Sequence, residues 1–301
     1  MSDLFQLNSE TEMIWYGVIY FLTSGVMIPF YILIMTALFR KDSNSPNMTY
    51  KLINIINSIE LMKVVCHFIT APVFMFPAMQ TSFDVGSRIS GSALNVCWIG
   101  TVPLMATLSI TRVFIFRGQL KSEKMPLAVK VVVTVVLTFM FVMFVISSIS
   151  QNFLIKPPSW GYDRSDPFTD YHRAIDQVVQ YTSLAISYAA NLLIVAMIFM
   201  KKKNASVTSR KREIAILVQY TLATTYIFTL IVCYYQKGLF DLTSNRTIAG
   251  FNTFWILSSC ISPLSLLIMN KTIREECKLI ICKDPNQQHI LKVGPHSTSH
   301  G

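Results

Sequence analysis

Asn57, Glu60, Lys63 and His67 stand three, three and four residues apart. On a helix that spacing lines up an amide, a carboxylate, an ammonium and an imidazole along one side. Such groups can trade protons, hold an ion or neutralise one another. Their surroundings are otherwise greasy: from Tyr50 to Phe76 the only formal charges besides Lys51 are Glu60 and Lys63. At 1.5 Å per residue Glu60 lies about 15 Å along the helix from Tyr50, near the midplane of a ~30 Å hydrocarbon layer. Lipid cannot satisfy these groups, so the stripe must face the interior of a helix bundle. Two uses stay open. One is a buried Glu60–Lys63 pair that cancels its own charge. The other is a protonation-sensitive switch, or an ion site, that links ligand binding to helix movement.

Enzyme chemistry finds no comparable footing. The chain has no His-Glu-x-x-His, no Gly-x-Ser-x-Gly and no paired metal-binding cysteines, and three of its five histidines fall in the last thirteen residues. These residues argue for no catalytic site, no metal and no cofactor.

The elements that hold the stripe follow from composition. Charged residues make up 14% of the chain and hydrophobic ones 52%, whereas a soluble domain carries roughly 25% charge. Met13–Phe39, Ile89–Thr111, Val131–Ser150, Gln177–Met200, Ile214–Gln236 and Ala249–Met269 contain no Asp, Glu, Lys or Arg. Each can cross a bilayer as a helix, and the stretch carrying Glu60 makes seven. The expected fold is an all-α membrane protein, a seven-transmembrane helix bundle with spans near 13–39, 49–77, 88–116, 127–150, 175–200, 213–236 and 247–269. A short N-terminus, 1–12, precedes the bundle. With acids and no Lys or Arg in it, the first span serves as its own insertion signal.

The net charge of +10 would suit nucleic acid, but its placement points to a membrane. Four connecting segments on one side (40–48, 117–126, 201–212 and 270–301) hold sixteen Lys and Arg, and those on the other side hold six. Basic short loops stay in the cytoplasm, so the N-terminus is expected outside and the C-terminus inside. Lys201, Lys202, Lys203, Arg210, Lys211 and Arg212 crowd the third cytoplasmic loop, where anionic lipid headgroups explain them without any protein partner. After the seventh span, residues 270–283 put Ile273, Cys277, Ile280 and Ile281 on one face of a short amphipathic interfacial helix. Cys277 on that stripe and Cys282 at its end are lipidation candidates, Cys277 the better placed. Residues 284–301 read as a flexible cytoplasmic tail.

At the opposite end, depth selects a ligand-binding set. Asn95 and Trp98 lie roughly 20–25 Å above Arg112 on the third span. Asn252 and Trp255 lie at similar depth on the seventh, and Tyr181 and Tyr188 lie along the fifth. Aromatic rings with a few polar groups suit a small molecule, and they also serve as ordinary packing groups between membrane helices. His172 and Asp166, in the long loop between the fourth and fifth spans, read as solvated surface.

With "ISPLSLLIMNKTIREECKLIIC" closing the last span and "LSITRVFIF" closing the third, the chain resembles the rhodopsin-like receptors coupled to G proteins. "GVMIPFYILIM", "MTYKLINII" and "MNKTIR" look most like the nematode serpentine chemoreceptors of class T. The resemblance implies a small chemical ligand bound from outside and a heterotrimeric G protein inside. It also implies a plasma-membrane site in a sensory-neuron cilium, and leaves room for homo- or hetero-oligomers of receptors. Thr111-Arg112-Val113 stands where the family has Asp/Glu-Arg-Tyr, which makes Arg112 the coupling residue with Thr111 as its weaker lock. Ser262-Pro263 stands at the Asn-Pro-x-x-Tyr position, and Glu60 at that of a buried Asp. The basic residues of the third loop become G-protein contacts. There are departures: no cysteine in the loop 150–174, hence no family disulfide, no proline in the sixth span and no asparagine in the first. The last span also has no lysine for a retinal Schiff base. The alternative is an ion-coupled transporter or channel using the Glu60/Lys63/His67 stripe, against which stand the odd span number and the lack of matching halves.

Overall fold

The computed structural model describes residues 2–120, 123–200, 207–236, 238 and 243–282, with side chains except at 2, 3, 199 and 207–220. After a short 3-10 turn, Ser2–Phe5, the helices run α1 Thr11–Asn44, α2 Met48–Met75, α3 Pro77–Ser82, α4 Asp84–Phe116 and α5 Leu127–Ser150. Two strands follow, β1 Phe153–Lys156 and β2 Ser159–Tyr162. Then come α6 Thr169–Met200, α7 Val207–Tyr235, α8 Asn245–Met269 and α9 Lys271–Cys282. Among the described residues, α1, α2, α4, α5, α6 and α8 are long and apolar enough to cross a membrane, and the apolar stretch Thr221–Tyr235 of α7 completes the bundle. The protein is a multi-pass membrane protein.

Several helices outrun the charge-free segments that marked them. α1 is 34 residues long, about 51 Å at 1.5 Å per residue. A run without charge reports the hydrocarbon layer, but nothing forces a helix to stop at its edge. Local chemistry sets some of the ends. The side chain of Asn47 accepts a bond from Thr49 N at the start of α2, and Ser244 does the same for Thr247 N at the start of α8. Phe76 breaks α2 and Pro77 opens α3 at the first helical position.

α4 is the central helix. Of its most apolar eighteen residues 67% are buried, against 22% for α5, and α4 packs on α2, α5 and α6. α5 turns Leu127, Val135, Phe141 and Ile149 outward, as lipid contact permits. α1 packs on α2, α8 and α9.

Proline inside α8 leaves a carbonyl in need. Pro263 lies inside α8 and has no N–H, so the carbonyl of Ser259, four residues earlier, loses its helical donor. The hydroxyl of Tyr31 in α1 donates to it, which ties α1 to α8 in an interior that offers no other solvent for a peptide group.

The α9 stripe is seated differently from expectation. Ile273 and Cys277 are 0% and 3% exposed and belong to the main core cluster, with Ile280 packed against it. Ile281 is 68% exposed. An apolar stripe only demands a non-aqueous neighbour, and here α1 and α8 supply it. Cys277 is therefore covered by protein, and burial pushes its thiol pKa up, with Glu276 adding to the shift. Cys282 is the exposed thiol of the two.

Candidate functional site

On α2 the polar stripe is wholly interior. Asn57, Glu60, Lys63 and His67 are each no more than 4% exposed. Lys63 Nζ lies 2.8 Å from Glu60 Oε2 and 4.9 Å from the centre of the Trp98 ring on α4. The ammonium is thus held by a carboxylate on its own helix and a π face on the next. Asn57 has no hydrogen-bond partner at either amide atom among the described residues, an uncompensated cost of about 1–3 kcal/mol for each buried group.

From Trp98 a chain of contacts climbs toward the β hairpin. Trp98 Nε1 donates to Gln180 Oε1 at 3.2 Å, and Gln180 Nε2 donates to Asp176 Oδ1. The other carboxylate oxygen of Asp176 accepts from Tyr162 and from Tyr235, each at 2.9 Å. Asn95 Nδ2 donates to Tyr162 Oη at 3.0 Å. The Trp98 and Trp255 rings meet at 4.7 Å, and Tyr234 stands edge-on to Trp255 at 5.1 Å. One carboxylate thereby joins the hairpin (Tyr162), α6 (Asp176, Gln180) and α7 (Tyr235), and passes through Trp98 to Lys63 and Glu60.

The hairpin fits as a plug. β1 and β2 pair antiparallel with Phe153 opposite Tyr162, and Phe153, Ile155, Trp160 and Tyr162 are all buried. Its fastenings come from every side. Arg88 Nη1 donates to Gln151 O at 3.1 Å, and Gln80 Nε2 to Ile155 O at 3.2 Å. Tyr20 of α1 donates to Pro158 O at 2.9 Å, and Ser159 donates to Asn252 Oδ1 at 3.4 Å. α4 comes closest at Gly91, where a Cβ would stand 2.6 Å from the Trp160 ring and 2.8 Å from the Phe153 carbonyl oxygen. Gly91→Ala is expected to lift the hairpin and lower stability by about 1–3 kcal/mol. Thermal unfolding and amide exchange of β1 measure this, and an unchanged β1 would refute the close fit.

Two loop residues are not solvated surface. His172 is 3% exposed, and its Nδ1 is bonded to Asn152 Nδ2 at 3.0 Å, because α6 starts at Thr169 and carries His172 on its inner side. Asp166 is half-buried and accepts from Phe168 N at 3.0 Å, just before α6. The inner side of α6 bears a row of polar groups: His172, Asp176, Gln180, Ser183, Ser187 and Asn191 are each no more than 8% exposed. Their spacing of four, four, three, four and four is a helical stripe, open to view in the sequence. It escapes a search for intramembrane charge because only Asp176 is charged, and Asp176 stands just outside the charge-free run. Tyr162 and Tyr235 carry no comparable signal.

Of the six residues chosen by depth, the structure groups Asn95, Trp98, Asn252 and Trp255 beneath the hairpin. Tyr181 and Tyr188 stand apart. Each is one residue, or about 100°, past a member of the α6 polar row. Tyr181 contacts the Tyr235 ring at 5.9 Å, and Tyr188 donates to Thr225 at 3.1 Å, both along the seam of α6 and α7.

At the α9 end, Thr111 is buried and its hydroxyl donates to Leu108 O of its own helix at 2.8 Å. Arg112 and Ser262 are half-buried and Pro263 is buried. The neighbouring Val113 packs with Ala190, Ile194, Met197 and Ile198 of α6. Lys201, Lys202 and Lys203, and residues 283–301, lie outside the described residues. Arg210, Lys211 and Arg212 fall in α7, and their side chains are likewise outside it.

Residues 3–290 match the family model described as serpentine type 7TM GPCR chemoreceptor Srt. No curated protein matches. Among solved structures, squid rhodopsin is similar at a TM-score of 0.60 and 10% identity, covering 97% of this chain and 95% of that one. At that identity the likeness is one of fold.

Proposed function

Since the chain belongs to the Srt family of serpentine seven-transmembrane chemoreceptors, we propose that it binds a small chemical at the hairpin end and activates a heterotrimeric G protein at the α9 end. The unbroken contact path from Tyr162 through Asp176, Gln180 and Trp98 to Lys63 carries this reading. A ligand that shifts the hairpin must strain that path, and the path ends on the charged pair of α2, where it meets Trp98 of α4. The excess of Lys and Arg on the α9 side supports a cytoplasmic α9 and an outward hairpin. Residues 1–12 are then extracellular, 13–269 the bundle, 270–283 the interfacial helix and 284–301 the cytoplasmic tail. The working site is the plasma membrane of a sensory cilium.

Asn95, Trp98, Asn252 and Trp255 form the layer that responds to ligand. The Trp255 indole N–H is buried without a partner among the described residues, a donor that a rearranged bundle or a ligand can satisfy. Asn57, Glu60, Lys63, His67, Ser262 and Pro263 form the switch between the two ends. Arg112 and the third-loop bases Lys201, Lys202, Lys203, Arg210, Lys211 and Arg212 meet the G protein, and the bases also hold anionic lipid. Cys282, the exposed thiol, is the lipidation site in preference to Cys277.

The test is nucleotide exchange on G proteins by the reconstituted receptor. Arg112→Ala is expected to cut receptor-catalysed exchange at least about tenfold, the loss of one charge-assisted contact. Thr111 spends its hydroxyl on Leu108 O, so no carboxylate restrains Arg112 from that position. Thr111→Glu is therefore expected to lower basal exchange. If Arg112→Ala exchanges nucleotide at the wild-type rate, the coupling role fails.

A further inference from the structure

Above the polar core, a cavity of about 480 Å³ opens between the hairpin, the start of α6, Tyr234 and Ile248. That volume suits a small molecule. Among the described residues its lining is lopsided in charge: Lys156, Arg164 and Arg173 against the carboxylate of Asp170. None of the three cations makes an ion pair among the described residues. Lys156 Nζ donates to Tyr162 O at 2.7 Å, which uses one of its three protons. Arg173 lies over the Tyr235 ring at 5.8 Å, and a guanidinium so placed keeps its donor edge for an anion. Trp160 and Tyr234 line the same cavity and offer aromatic surface beside the charges.

We infer that this cavity takes a small organic anion, a carboxylate on an aromatic or apolar body, with Lys156, Arg164 and Arg173 on the charge and Trp160 and Tyr234 on the body. This deepens the receptor reading and rests on it, because the cavity adjoins the contact path at two points. An anion that draws Lys156 from the Tyr162 carbonyl loosens β2 at the residue whose hydroxyl bonds Asp176. An anion that draws Arg173 unloads the Tyr235 ring, whose hydroxyl bonds the same carboxylate. The free anion is favoured over a lipid headgroup because the described lining is made of hairpin and helix-end residues, with Trp160 and Tyr234 in the wall.

The experiment is saturation-transfer NMR on the full chain in phosphatidylcholine nanodiscs, with benzoate, benzamide and benzylamine as probes. Benzoate is expected to bind saturably, with benzamide weaker and benzylamine silent. Arg164→Gln combined with Arg173→Gln should weaken benzoate about tenfold. Asp170→Asn, which removes the one carboxylate among the described lining residues, should tighten it. Raising salt from about 0.1 M to about 1 M shortens the screening length from about 10 Å to about 3 Å and should weaken it further. Arg164→Gln alone, at an exposed position, gives the same direction if the double variant does not fold. The proposal is overturned if benzoate does not bind, if benzylamine binds equally, or if the charge variants leave benzoate affinity unchanged. Loss of benzoate binding when phosphatidylglycerol is added would assign the site to a lipid headgroup instead. Exchange assays on the same samples separate the two levels. Exchange without benzoate binding removes the anion site and leaves the receptor, whereas benzoate binding without exchange on any G protein does the reverse.

Discussion

A Lys63→Met variant is expected to lose about 3–5 kcal/mol of stability, the cost of breaking a buried ion pair from one side. Lys63 and Glu60 are 2% and 6% exposed in their side chains, so removing the ammonium leaves a carboxylate with no water to turn to. Glu60→Gln should be milder, because Lys63 keeps the Trp98 face, and a cation–π contact in a dry setting contributes about 2 kcal/mol. The double variant, Glu60→Gln with Lys63→Met, removes both charges and should regain most of the loss. Thermal unfolding of the four proteins in nanodiscs gives the order: wild type, double variant, Glu60→Gln, Lys63→Met. If Lys63→Met melts with wild type, the pair contributes no stability, and its place in the switch goes with it.

The second large effect centres on Asp176. Its carboxylate accepts from Tyr162, Tyr235 and Gln180, so Asp176→Ala strips three buried donors of their acceptor at once. At about 1–3 kcal/mol for each unsatisfied group, and with some relief from side-chain rotation, a loss of about 3 kcal/mol is expected. Asp176→Asn keeps one acceptor oxygen and should lose about 1 kcal/mol. The loss has an address. Hydrogen exchange should rise over residues 153–162 and stay unchanged in α9 at the far end of the bundle. A uniform rise, or none, would mean that Asp176 does not fasten the hairpin.

How far the sequence carries depends on which forces it records. Hydrophobic runs placed the bundle, since a run without charge and a bilayer's thickness are two sides of one condition. They missed the helix ends, because α1 and α6 continue past the apolar layer on ordinary backbone hydrogen bonds. The stripe on α9 told of a non-aqueous neighbour without saying whether that neighbour is protein or lipid, so the burial of Cys277 against protein was not legible. On α2 the stripe was legible because two charges in an apolar run stand out. The row on α6, from His172 to Asn191, obeys the same periodicity with mostly neutral polar groups, which a search for charge passes over. The hairpin was least legible. Its two strands are four residues each, and its anchors reach from Tyr20, Gln80, Asn95 and Asn252, positions that only the folded chain brings together.

No sulfur holds that hairpin. The segment 150–174 contains no cysteine and all six cysteines of the chain are free, so the plug is built without an oxidising step, and thiol reductants have nothing in it to cut. A disulfide leaves a loop either clipped or cleaved. A lid made of a few hydroxyl, amide and guanidinium contacts around Tyr162 and Arg88 can instead yield and reseat one bond at a time, at the pace of side-chain and loop motion.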